Sequence, residues 1–164
     1  MVFGQCAIAL GSNMGNSRAI VSAALETLAQ TPGISLQARS SWYQTQAVGP
    51  PQPDYINGCA LLRVQIPPQV LLETLLLVEN KFGRVRSVYW GPRSLDLDLL
   101  LYDDLILSTP TLVLPHPRLR ERAFVLVPLA EIAPNWVEPV SGKAIAQLVQ
   151  AVDCSGVHRL MANE

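Results

Sequence analysis

The stretch Leu95-Asp96-Leu97-Asp98-Leu99-Leu100-Leu101-Tyr102 constrains this chain more than any other. Successive side chains of a β-strand point to opposite faces. Leu95, Leu97, Leu99 and Leu101 therefore share one face, and Asp96, Asp98, Leu100 and Tyr102 share the other. A continuous leucine face has to lie on a hydrophobic core. That requirement sets the register, because a slip of one residue would bury both aspartates. The same alternation leaves Asp96 and Asp98 side by side, with Cα atoms about 6.6 Å apart. Two carboxylates so placed suit one or two Mg2+ ions, which prefer carboxylate oxygens, water and substrate phosphates.

The remaining segments supply the partners for that strand. Residues 5–10 read as a buried strand. The turn Gly11-Ser12-Asn13-Met14-Gly15-Asn16 follows, with Asn16 or Ser17 as a helix N-cap. Ala19, Ile20, Ala23, Ala24, Leu25 and Leu28 then recur at helical spacing, and Thr31-Pro32-Gly33 stops the helix. Residues 34–45 and 55–66 read as strands around a loop, 46–54, that holds Pro50, Pro51 and Pro53. Pro67-Pro68 opens an apolar helix running to about Phe82, with Gly83 suited to its C-terminal cap. The strand over 95–102 is expected to pair with 105–107 through Asp103-Asp104. Short helical turns are expected from Pro115-His116-Pro117 to Glu131, then a helix over 144–152 and a short strand over 156–160. Strands come as hairpins rather than alternating strictly with helices. The expected class is α+β, with helices packed on a mostly antiparallel sheet.

Composition narrows the partners. A chain of 164 residues, 49% of them apolar, fits one domain spanning 1–164 with a substantial core. The formal net charge is -1, which gives no global attraction to nucleic acid or to an anionic membrane. Any phosphate ligand must be held by a local basic cluster. Cys6, Cys59 and Cys154 form no C-x-x-C pair and read as small buried thiols. No basic region followed by an apolar run opens the chain, and residues 70–78 are too short and too charged to span a bilayer. The expectation is a cytoplasmic, monomeric protein with small-molecule partners, no nucleic acid and no membrane.

Arg84, Arg86 and Arg93 precede the aspartate pair, and guanidinium groups bind phosphate oxygens in a bidentate fork. Carboxylates beside several arginines suit phosphoryl transfer, which proceeds mainly by positioning and charge neutralisation. The plainer reading is an edge strand with surface ion pairs. The loop Gly11-Ser12-Asn13-Met14-Gly15 fits neither G-x-G-x-x-G nor G-x-x-x-x-G-K-[ST], so P-loop and Rossmann sites are excluded. Tyr55 and Asn57 lie two apart at a strand start and point the same way. An aromatic face beside an amide can stack on a flat heterocycle and read its edge, and Phe124 offers an opposing ring. His116 lies near Arg118, Arg120 and Arg122, a second basic cluster suited to ATP phosphates. His158 reads as structural.

Three segments together, Val48-Gly49-Pro50 to Tyr55-Ile56-Asn57, Arg84 to Asp98, and Pro115-His116-Pro117 to Phe124, resemble the 6-hydroxymethyl-7,8-dihydropterin pyrophosphokinases. The resemblance runs from Ile8-Ala9-Leu10-Gly11-Ser12-Asn13 to Leu129-Ala130-Glu131-Ile132-Ala133-Pro134. Its most specific part is G-P-R-x-x-D-L-D, here residues 91–98. It implies transfer of pyrophosphate from ATP to 6-hydroxymethyl-7,8-dihydropterin with release of AMP, a step of folate biosynthesis. It implies a ferredoxin-like α/β/α sandwich with helices on both faces of the sheet. By the same resemblance, Asp96 and Asp98 ligate two Mg2+ ions, and Arg84, Arg93 and Arg122 surround the phosphates. Arg86 and Trp90 belong to a loop that closes over the substrates. Thr45, Val48 and Asn57 contact the pterin, and Tyr55 and Phe124 sandwich it. Glu79, His116 and the backbone of Leu99 lie on the nucleotide side. Departures from the family pattern are Tyr89, Gln46, Leu76, Thr111 and Val113.

Two other classes are consistent with parts of the chain. One is another Mg2+-dependent nucleotidyl or phosphoryl transferase. The other is a ferredoxin-like RNA-binding module, which needs exposed strand aromatics and a basic sheet face. Aromatics are only 6% of this chain and its strands are leucine-rich, which disfavours the second.

Overall fold

The computed structural model describes residues 4–13, 16–46, 53–82 and 95–161. Nine consecutive residues, Gly4–Ser12, form β1, and all but Gln5 are buried. A strand buried on both faces belongs inside a sheet. β1 indeed pairs antiparallel on one side with β4 (Tyr55–Val64) and on the other with β5 (Asp96–Tyr102). β4 continues the sheet by pairing with β2 (Ile34–Arg39) along one half and with β3 (Tyr43–Thr45) along the other. A short strand, β8 (Val157–Arg159), closes the far edge against β3. The order β5-β1-β4-β3-β8, with β2 also on β4, makes an antiparallel sheet with β5 at one edge.

Helices cover both faces. α1 (Ser17–Ala29) and α2 (Pro68–Lys81) enclose one core with Ile8, Leu10, Leu62, Leu95, Leu97 and Leu99. α3 (Ala123–Ile132) and α4 (Ile145–Gln150) enclose the other with Ala7, Cys59, Leu61, Leu126 and Leu129. The expected α+β sandwich with helices on both faces is the architecture observed. Asn16 is the N-cap of α1, its side chain accepting the Ala19 N–H at 3.4 Å. α2 ends at Lys81, and Gly83 lies outside the described residues. Among the described residues no helix is long and apolar enough to cross a membrane.

Three expectations are corrected. β5 does not pair with residues 105–107; its partner is β1. The Asp103 N–H donates to the Gln5 carbonyl at 2.7 Å, and Asp103 Oδ1 accepts the Gln5 N–H at 2.8 Å. This exchange seals the end of β5 onto β1, with Asp103 at φ 50°, a left-handed conformation that Asp tolerates. The following residues form their own pair, β6 (Leu107–Ser108) with β7 (Val113–Leu114). Second, the alternation of β5 breaks. Ala7 stands opposite Leu101 and Ile8 opposite Leu99, so Leu100 is the extra residue of a β-bulge. Leu100 and Leu101 both enter the α3/α4 core, and Tyr102 turns to the α1/α2 core. Third, residues 34–45 are two strands. Ser40 interrupts them by using its Oγ to accept the Cys59 N–H at 2.9 Å, and Trp42 turns into the core over Gly58. A Cβ on Gly58 would lie 2.5 Å from the Trp42 ring, so only glycine allows that approach.

Glu131, near the end of α3, holds this interruption. Its carboxylate accepts the Ser41 N–H at 3.0 and 3.1 Å, the Ser41 hydroxyl at 3.1 Å and the Tyr43 hydroxyl at 2.6 Å. Partial burial pushes the Glu131 carboxyl up, but the bonds from Tyr43 and Ser41 and the charge of Arg159 outweigh it, leaving the carboxyl below its ordinary 4.5. A depressed carboxyl stabilises the fold fully above its unfolded value and ceases to do so as pH falls through the folded one. The Tm of the protein should therefore fall more steeply below pH 4.5 than that of Glu131→Gln. Parallel Tm–pH curves for the two proteins would show that the charge contributes nothing.

Candidate active site

The register of β5 on β1 sets Asp98 opposite Ala9 and Asp96 opposite Gly11. With the leucines fixed beneath α1 and α2, both carboxylates project to the α3 side, half-buried. Because β5 is an edge strand, its outer backbone groups need other partners. Glu79 of α2, 5% exposed, accepts the Leu97 N–H at 2.7 Å. The His116 N–H donates to the carbonyl of Leu100 at 2.9 Å. This second bond lays residues 115–118 along the strand and brings the imidazole to Asp98.

His116 Nε2 lies 4.0 Å from Asp98 Oδ1, and Arg122 Nη1 lies 3.7 Å from Asp98 Oδ2. The Arg118 backbone N–H donates to His116 Nδ1 at 3.1 Å. With Nδ1 accepting, the proton of the neutral ring sits on Nε2, facing Asp98. Burial pushes the imidazole below its ordinary 6.5; Asp98 pulls it up, and Arg122 and Arg118 push it down again. The ring is therefore neutral at pH 7, a hydrogen-bond donor rather than a second cation. Arg122 also stacks 5.5 Å above the ring of Phe124.

Asp96, Asp98, His116 and Arg122 line one end of a cavity of about 480 Å³. Thr45 and Tyr55, which face each other across the β3–β4 pair, line the other end together with Asn57, and Phe124, which carries Arg122 on its ring, lies between the two. Asn57 is 7% exposed, and its Oδ1 and the Oγ1 of Thr45 are buried without a hydrogen-bond partner among the described residues. Orphaned buried oxygens are costly unless a ligand satisfies them. The cavity thus has a charged end, made of carboxylates, imidazole and guanidinium, and an uncharged end of aromatic rings and amide or hydroxyl groups.

Asp96, Asp98, Thr45, Tyr55, Asn57, His116, Arg122 and Phe124 all line this cavity. Glu79 and Leu99 do not line it; Glu79 lies under β5, and the Leu99 side chain is in the α1/α2 core. Val48, Arg84, Arg86, Trp90 and Arg93 lie outside the described residues, as does Tyr89. The sequence reading missed Ala9, Leu10, Gly11, Gln46 and Val125 as lining residues. Gly11 carried a usable signal. A Cβ there would lie 2.9 Å from Asn57 Nδ2, so any larger residue would push the amide from its present place. No cluster of three or more His, Cys, Asp or Glu suited to a metal occurs among the described residues. Two adjacent carboxylates fit a cation that draws its remaining ligands from water and substrate phosphates, which is the habit of Mg2+.

Comparison with known proteins identifies the family. The family model described as 7,8-dihydro-6-hydroxymethylpterin-pyrophosphokinase matches residues 7–134. The chain belongs to this family. A 2-amino-4-hydroxy-6-hydroxymethyldihydropteridine pyrophosphokinase of Synechocystis sp. is 54% identical over 92% of this chain and 77% of the relative. The enzyme of the same name from Methylorubrum extorquens is 44% identical over 93% of this chain and 96% of its own. The fold matches a crystal structure of Plasmodium falciparum HPPK-DHPS with pteroate, with a TM-score of 0.74 at 12% identity. That match covers 92% of this chain and 42% of the longer one.

The contact of Glu79 with the β5 edge has a measurable weight. Glu79→Ala leaves the Leu97 N–H without this partner and should cost about 1–3 kcal/mol of stability. Glu79→Gln, which keeps an acceptor at the same place, should recover most of the lost Tm in thermal unfolding. Equal losses in the two variants would contradict a role for the hydrogen bond.

Proposed function

We propose that the two ends of this cavity divide the substrates of the family reaction, the transfer of pyrophosphate from ATP to the hydroxymethyl group of 6-hydroxymethyl-7,8-dihydropterin in folate biosynthesis. The observation that carries the division is the β5 register. It places Asp96 and Asp98 on the same cavity as Tyr55, Asn57 and Phe124. The pterin takes the uncharged end. Tyr55 and Phe124 hold its ring, and Asn57 and Thr45 satisfy their orphaned oxygens on its amino and ring N–H groups. Val48 completes this side.

The triphosphate takes the charged end. Arg122 and the neutral His116 donate to phosphate oxygens, with Arg84 and Arg93 as further cations and Arg86 and Trp90 on the closing loop. Glu79 fixes the backbone of Leu97 between the two aspartates, and Leu99 serves the nucleotide side through its backbone. Asp96 and Asp98 would hold two Mg2+ ions. Bound there, the metal would neutralise phosphate charge and favour ionisation of the pterin hydroxyl. The residues themselves orient the hydroxyl in line with the β-phosphorus, exclude water and offset charge on the departing AMP. The near-neutral chain and a cavity of about 480 Å³ favour small-molecule partners over nucleic acid or membrane, and a monomer in the cytoplasm suffices for this chemistry.

The product discriminates. Incubation with ATP, Mg2+ and 6-hydroxymethyl-7,8-dihydropterin should yield AMP and the pterin diphosphate. ADP would mark an ordinary kinase and overturn the reading. Asp98→Asn should remain folded, with a circular dichroism spectrum like that of the unaltered protein, and lose on the order of a hundredfold or more in kcat. A folded Asp98→Asn protein of near-normal rate would remove Asp98 from the metal site.

A further inference from the structure

We propose that Glu131, Ser41 and Tyr43 form a bracket that positions the pterin end of the site, although none of them lines the cavity. The inference rests on assigning the Thr45 and Tyr55 end to the pterin. β3 has only three residues, and the strand breaks just before it at residues 40–42. Its last residue, Thr45, lines the cavity, and its three sheet partners on β4 run from Tyr55 to Asn57. Thr45 stands opposite Tyr55, and Tyr43 opposite Asn57. A displacement of β3 therefore moves Thr45 directly and disturbs the strand that presents Tyr55 and Asn57.

A strand this short has little of its own to keep it in place. On one side it has three pairs with β4, and on the other three with β8, whose residues are half-buried or exposed. Glu131 supplies the missing constraint from a rigid element. α3 is locked by Val125, Leu126 and Leu129 in the second core, and it carries Phe124 at its start. From the other end of the helix the Glu131 carboxylate takes donors from Ser41 and from Tyr43, which straddle the entry to β3. One helix thus holds both a wall of the pterin end, through Phe124, and the strand carrying the opposite wall, through Glu131. Such support from outside the contact shell is what keeps a binding geometry within a fraction of an ångström. The ATP end, apart from Arg122 at the start of α3, is anchored differently. Asp96, Asp98 and His116 are tied to β1 and to the edge of β5, on the other side of the sheet's centre from β3. The bracket should therefore act on one substrate and leave the other alone.

Calorimetry of the protein can separate the two ligands, with a non-hydrolysable ATP analogue and Mg2+ titrated into the protein alone, and 6-hydroxymethyl-7,8-dihydropterin titrated into the protein saturated with Mg2+ and the analogue. Glu131→Ala should weaken pterin binding by roughly tenfold while the ATP analogue binds as before. Tyr43→Phe and Ser41→Ala each remove fewer bonds, and should shift pterin affinity in the same direction by less. These milder variants decide the matter if Glu131→Ala does not fold. Leu148→Ala, a truncation in the same core on α4, is the control. It should lower Tm without changing either affinity at a temperature well below the transition. The bracket is overturned if the Glu131, Tyr43 and Ser41 variants bind pterin like the unaltered protein, or if the affinities for both ligands fall together. Failure of the unaltered protein to make AMP from ATP and the pterin would instead overturn the functional reading.

Discussion

Pairing of β5 with β1 is the constraint on which the site depends. β1 is buried along nearly its whole length, so its position is set by two cores at once. β5 joins it with Leu95, Leu97 and Leu99 pressed beneath α1 and α2. Shifting this pairing by one residue would drive two carboxylates into that core. Burial of an ionised carboxylate without a partner costs several kcal/mol, about the whole stability of an ordinary domain. The leucines thus select a single register, and the register places Asp96 and Asp98. The bulge at Leu100 then releases the strand from alternation and seats Leu100 and Leu101 in the second core. Its carbonyl receives the N–H of His116, so the same irregularity that ends the leucine face brings in the histidine.

Around those carboxylates the electrostatics favour an anionic ligand held with a cation. Asp98 faces Arg122 and a His116 whose ring is kept neutral by burial and by neighbouring arginines. Across the same cavity the environment changes to rings, an amide and a hydroxyl, with two oxygens that lack a partner among the described residues. A substrate pair consisting of a polyphosphate and a flat heterocycle with N–H donors matches both halves. Membership in the pyrophosphokinase family supplies such a pair. The structure adds the way the two halves are supported: the carboxylates and His116 from β1 and the capped edge of β5, the uncharged end from β3 and α3, and Arg122 from the start of α3.

Much of this was legible in the chain, and the failures have physical causes. Alternation was readable from Leu95 to Leu99 because aspartate and leucine differ so sharply. It became unreadable at Leu100-Leu101-Tyr102, where apolar residues fit either face and the bulge leaves no mark. Asp103-Asp104 looks like a hairpin turn, and local turn chemistry does not reveal that the strand before it is already paired with β1, nearly a hundred residues away. Tyr55, Asn57 and Phe124 came together as expected. Gly11 was passed over because its turn was read as a helix entry, whereas its lack of a Cβ is what admits the Asn57 amide. Glu131 was read only as the end of a helical stretch. Its partners, Ser41 and Tyr43, are brought to it by the break at Ser40, which a continuous strand over 34–45 would not have allowed.

Whether Asp96 and Asp98 together hold the metal is most directly settled by crystals grown with Mn2+, a non-hydrolysable ATP analogue and the pterin substrate. Anomalous scattering locates Mn2+ independently of the refined model of the protein. Peaks about 2.1 Å from carboxylate oxygens of both Asp96 and Asp98, beside the phosphates, are the expected result. Mn2+ bound to the phosphates but out of reach of both carboxylates would contradict it.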